Sequence, residues 1–144
     1  PDWKMEIARM RQRIEKERTP GGKDALAIKT GAGGLIDAEF IAQALCLENG
    51  WREPNTLKAL QLGLENGRFA ESDGETLIAN YRQLRRIEGI LRRWSFAGET
   101  VLPDDEAPLA RVAVRCGFKT TDEFMGAVAV YRTKIRAMYL KFFG

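Results

Sequence analysis

The side chains best suited to chemistry lie close together: a lysine at 29, glycines at 31, 33 and 34, and acids at 37 and 39, just before a regular apolar pattern. Glycines permit positive φ and let backbone approach a ligand closely. A helix beginning near Leu35 would offer unpaired N–H groups and the positive end of its dipole to an anion. Lys29 would add a mobile cation beside that site. The same residues also admit a structural reading, in which Gly31, Gly33 and Gly34 make a tight helix entry and Asp37 and Glu39 complement the helix's own dipole. Spacing alone leaves both readings open. Asp37 and Glu39 stand two apart on a helix and point to different faces, so they are no ready pair for one metal.

The chain has no histidine. That removes Ser-His and Cys-His nucleophile pairs, a histidine base and mixed Cys/His zinc sites. Cys46 and Cys116 sit in apolar helical patterns with no nearby thiol or histidine, and are expected to be buried, reduced and structural. Glu39, next to core-facing Phe40, and Glu88 are expected in buried or interhelical ion pairs, with Arg85, Arg86, Arg132 and Arg136 as the cationic partners. Arg85 or Arg132 is the expected partner of Glu39. No residue is assigned a catalytic role, and no metal-ligand set is found. Basic clusters at 9–13 and 82–93 read as solvated helix faces, and a net charge of +3 from 23 basic and 20 acidic residues gives no argument for nucleic acid.

The elements that would position these groups are helices. Trp3, Ile7, Met10 and Ile14 share one face of a leading helix within 1–19, which stops at Thr19-Pro20-Gly21-Gly22. Ala25 to Lys29 alternates weakly, as one short extended segment would. A helix from Leu35, with Ile36, Phe40, Ala44 and Leu47 in its pattern, ends near Asn49-Gly50. Asn55 or Thr56 caps a short helix with Leu57, Leu60 and Leu64 inward, closed by Asn66-Gly67. A capping box at Ser72 to Glu75 opens a long helix marked by Leu77, Tyr81, Leu84, Ile87, Leu91 and Trp94. Residues 95–106 form the longest irregular connection. Pro108 suits the first turn of the next helix, which Gly117 stops, and Thr120 with Glu123 caps a last helix through Phe124, Val128, Tyr131, Ile135, Met138 and Phe142. About six helices with short connections make an all-α helical bundle.

Lys29, Gly33-Gly34, an apolar pair, Asp37, Glu39-Phe40, Ile41 and Gln43 resemble the signature of the helical domains in glutamine synthetase adenylyltransferases. Asn55-Thr56-Leu57 with Leu60, Tyr81 with Leu84-Arg85 and Glu88, Leu102-Pro103, and Arg132 with Ile135-Arg136 follow in that family's order, so the resemblance spans about 25–144. The family often has histidine beside the arginines of its last two long helices; this chain has Gly89 and Tyr131 there. The resemblance implies a helical accessory domain following a nucleotidyltransferase domain of the same chain, with Lys29, Gly31, Gly33, Gly34, Asp37 and Glu39 at the nucleotide cleft or the interdomain face. It implies ATP and magnesium for the parent enzyme, with neither held by this segment. It also implies transfer of AMP to or from a tyrosine of glutamine synthetase, and regulation by a PII signalling protein. Asp37-Ala38-Glu39-Phe40 looks more like the adenylylating, C-terminal half. This segment has no Gly-Ser followed by an Asp-x-Asp pair, so it is expected to be inactive alone. A non-catalytic helical protein-interaction module is the alternative.

With 144 residues, the chain is expected to form one bundle domain, 1–144, and its start at Pro1 rather than Met reads as a piece of a longer multidomain enzyme. No apolar run reaches the ~20 residues of a membrane span, and the charged first helix is no signal peptide, which makes the cytoplasm the expected location.

Overall fold

A computed structural model describes residues 2–19, 21–94 and 101–144. Six α-helices form the structure: α1 (Asp2–Arg18), α2 (Leu35–Asn49), α3 (Thr56–Glu65), α4 (Glu71–Trp94), α5 (Glu106–Arg115) and α6 (Thr121–Phe143), and no strand occurs among the described residues. The fold is an all-α bundle. The segment read as extended at Ala25 to Lys29 is instead a single 3-10 turn at Asp24–Leu26 followed by turns, because its N–H groups close locally: Ala27 onto Lys23 and Asp24, and Gly31 onto Ala27.

Helix ends follow local chemistry. Asn55 accepts from the Lys58 N–H at 2.9 Å and Thr120 from the Glu123 N–H at 3.1 Å, each meeting a donor the helix cannot. Gly50, at φ 70°, closes α2 in the left-handed conformation. The long fourth helix does not begin at Ser72: it already includes Glu71, and the Gly74 N–H donates to Ala70, so the capping-box residues lie inside the first turn.

α4 packs on α6 and α3, and α2 on α3 and α6. The core between them is built from Ile41, Leu45, Leu60, Leu77, Leu84, Ile87, Leu91, Phe124, Val128 and Ile135. Two small residues let helices approach: a Cβ at Gly63 would meet Leu45 and Phe69, and one at Gly74 would meet Leu64 and Phe69. Leu102 is buried and donates its N–H to the Leu26 carbonyl at 2.8 Å; of the expected irregular connection over 95–106, residues 95–100 lie outside the described residues. The pattern overstates burial most at Met10, Leu47 and Trp94, which are exposed, and Trp94 instead carries the Arg115 guanidinium over its ring at 4.3 Å. Among the described residues no helix is long and apolar enough to cross a membrane.

Candidate functional site: a buried ion network and an adjoining charged cleft

The expectation of solvated faces at both basic clusters fails at Arg11. This side chain is fully buried, and it is the one buried residue of α1 among the described residues. Its Nε donates to Asp37 Oδ1, and its Nη2 donates to the carbonyls of Thr30 (3.0 Å) and Gly31 (2.9 Å). Asp37 is equally buried and also accepts from the Gly33 N–H at 2.7 Å and from Arg136 Nη1 at 3.1 Å. Arg136 reaches Glu15 on α1 at 3.3 Å, so one carboxylate ties α1, α2 and α6 together.

Arg132, from α6, completes the surroundings of the loop. It donates to the Ala32 carbonyl at 3.1 Å and the Asp24 carbonyl at 2.6 Å, and pairs with the Asp24 carboxylate at 3.3 Å. Arg132 is therefore held by Asp24, not by Glu39. The glycines are explained by this crowding. A Cβ at Gly33, whose φ is +75°, would overlap the Arg132 backbone. A Cβ at Gly34 would lie 2.6 Å from the Ile28 carbonyl.

The loop leaves few donors for an anion. The N–H groups of Leu35 and Ile36 donate to the carbonyls of Ile28 (2.9 Å) and Lys29 (3.0 Å), and Gly34 donates to Gly31 at 2.9 Å. The helix start thus spends these groups on its own chain, and Gly31, Gly33 and Gly34 shape a helix entry, while the Lys29 side chain stays half-buried.

Glu39 points elsewhere, as its spacing from Asp37 predicts. It lines a cleft of about 390 Å³ with Pro54, Asn55, Thr56, Leu57, Tyr81, Arg82 and Arg85. Burial pushes the Glu39 carboxyl above its ordinary range; Lys29 opposes this, nearby Glu88 adds to it, and Arg85 and Arg11 oppose it. Burial likewise raises the Tyr81 phenol, against the lowering effect of its hydrogen bond with Thr56 and of Arg85. Glu88 is nearly buried and pairs with Arg85 one turn back and Arg92 one turn on, the latter at 3.8 Å. Chemically, the cleft offers guanidinium groups to anions, a half-buried carboxyl whose burial favours its neutral form, and amide and hydroxyl groups for neutral hydrogen bonding.

Arg86, also read as an acid's partner, donates instead to the Cys116 carbonyl at 2.7 and 3.1 Å. Both cysteines are free; Cys116 is buried, whereas Cys46 is half-buried. Among the described residues no three His, Cys, Asp or Glu side chains group as metal ligands. Arg11 is the functional candidate that sequence reasoning missed. The available signal was its place between Ile7 and Ile14, in the middle of the apolar stripe of α1.

A family model described as GlnD PII-uridylyltransferase matches residues 3–143, and the chain belongs to that family. Its relatives include a bifunctional glutamine synthetase adenylyltransferase/adenylyl-removing enzyme of Stenotrophomonas maltophilia (strain R551-3), 37% identical over 113 residues, 75% of this chain. The enzyme of the same name from Xanthomonas campestris pv. campestris is 34% identical over 117 residues, 78% of this chain. The chain spans 12% of the length of each of these relatives.

Proposed function

We propose that the chain is the helical accessory domain of a bifunctional glutamine synthetase adenylyltransferase, of the adenylylating, C-terminal type. It works in the cytoplasm beside a nucleotidyltransferase domain of the same chain, where it completes the nucleotide cleft and docks neighbouring domains. One observation carries the reading: Glu39 from α2, Asn55 to Leu57 at the start of α3, and Tyr81 and Arg85 from α4 line a single cleft, although they are far apart in sequence. All six are among the residues that carry the resemblance. Lys29 does not line the cleft, but its charge acts on Glu39.

In this reading the chain's own groups bind and orient. Lys29, Arg82 and Arg85 attract phosphate charge, Glu39 and Tyr81 exchange hydrogen bonds with neutral or protonated groups, and the glycine segment holds Lys29 in place. ATP and magnesium are handled by the catalytic head, with glutamine synthetase as the acceptor and a PII protein as regulator. The reading is tested by incubating the isolated chain with labelled ATP, magnesium and glutamine synthetase. No label should pass to the synthetase, and transfer at the rate of a full-length enzyme would overturn it.

A further inference from the structure

Arg11 precedes the span of the resemblance, yet among the described residues it is the least exposed cation. Its guanidinium grips the carbonyls of Thr30 and Gly31, the two residues directly after Lys29, and the Asp37 carboxylate. On the other side, the Lys29 carbonyl accepts the Ile36 N–H of α2. The backbone that carries Lys29 is therefore clamped between the first turn of α2 and one side chain of α1. The Thr19 and Thr30 hydroxyls, 2.9 Å apart, add a second tie at the end of α1.

Besides Arg11, α1 is held by the Glu15–Arg136 pair and by Lys4, which reaches Glu48 and lies over the Phe142 ring. Trp3, Ile7 and Ile14 are only half-buried, and Met5 and Met10 are exposed. A planar, forked guanidinium can serve two carbonyls and a carboxylate together, where a lysine ammonium presents a single point charge.

We infer that Arg11 is a positioning residue: by docking α1, its guanidinium sets the course of the Thr30–Gly31 backbone and so the placement of Lys29. What this does for a nucleotide cleft rests on the function proposed above, whereas the geometry itself does not. α1 then acts as a strap, and loosening it releases the Lys29 turn without dismantling the α2–α6 core.

The test uses residues 1–144 with lysines dimethylated with carbon-13 and the Lys29 resonance assigned through Lys29→Arg. Spectra and urea midpoints are compared for the wild type, Arg11→Met and Arg11→Lys. Arg11→Lys keeps a cation beside Asp37 and loses the fork. The Lys29 signal should move to the position of an exposed lysine in both variants. The signal of Lys141, paired with the distant Asp73, should stay unchanged, and Arg11→Lys should recover most of the midpoint lost in Arg11→Met. A wild-type Lys29 signal in Arg11→Lys would show that charge alone suffices and would overturn the proposal. Should Arg11→Met unfold, Arg11→Lys alone decides. No activity is read, so failure here is distinguishable from failure of the proposed function.

Discussion

Replacing Asp37 by alanine should be the most damaging single change in the polar interior. The carboxylate is fully buried and accepts from Arg11, Arg136 and the Gly33 N–H. Its loss leaves the fully buried Arg11 guanidinium with two carbonyls and the more distant Glu15 carboxylate at 3.9 Å. Removing one partner of a buried pair in this way costs about 3–5 kcal/mol. Arg136 keeps Glu15 and part of its hydration, so its share is small. The Gly33 N–H also loses its acceptor, worth about 1–3 kcal/mol alone but not additive with the ion pair. Taken together, Asp37→Ala should cost about 4 kcal/mol, which lowers the melting temperature by roughly 10–15 °C in a chain of this length. Urea unfolding followed by far-ultraviolet circular dichroism measures this, and Asp37→Asn, which keeps an acceptor, should fall between. Asp104→Ala is the control, since it removes only an exposed pair with Lys23. An Asp37→Ala midpoint no lower than the control's would refute the argument that this carboxylate anchors three helices.

Glu39 gives a pH prediction. Burial raises its folded-state value above the ordinary 4.5, so the folded protein holds the proton more tightly than the unfolded chain. That contribution is complete below about 4.5 and is lost as pH rises through the folded value; a pH series of urea midpoints on wild type and Glu39→Gln should show the variant gaining relative stability across that window. Ile135 is fully buried in the core, and Ile135→Ala should cost about 2–5 kcal/mol, read from the same denaturation curves; an unmoved midpoint would place that face of α6 in solvent.

Much of the bundle was legible in the spacing of its apolar residues. Leu77, Tyr81, Leu84, Ile87 and Leu91 recur every three or four residues and are all buried in α4; in α6 Phe124, Val128, Ile135 and Met138 are buried, with half-buried Tyr131 between Val128 and Ile135. Periodicity fails where a polar residue occupies the apolar stripe, as Arg11 does in α1. Its burial depends on an acid 26 positions away, which no local pattern contains. The glycine segment was half legible. Glycine type announces a tight turn, yet which carbonyls take the N–H groups of Leu35 and Ile36 depends on how Ile28 and Lys29 fold back over the helix start. Of the residues expected at a cleft only Glu39 lines this one; Asn55, Thr56, Leu57, Tyr81 and Arg85 were named for other reasons, and α2, α3 and α4 had to pack before they met Glu39.

The central claim, that the Lys29 and Glu39 side of the bundle completes a nucleotide cleft, meets its most direct test in Lys29→Ala introduced into a full-length parent enzyme. Lys29 is half-buried and its charge acts on the Glu39 carboxyl, so removing its side chain should leave the melting temperature almost unchanged. A charge-assisted contact to phosphate contributes about 1.5–3 kcal/mol, so AMP transfer or nucleotide affinity should fall by about tenfold or more. Unchanged transfer kinetics with unchanged stability would contradict the claim and leave the segment from Lys29 to Gly34 as a helix entry alone.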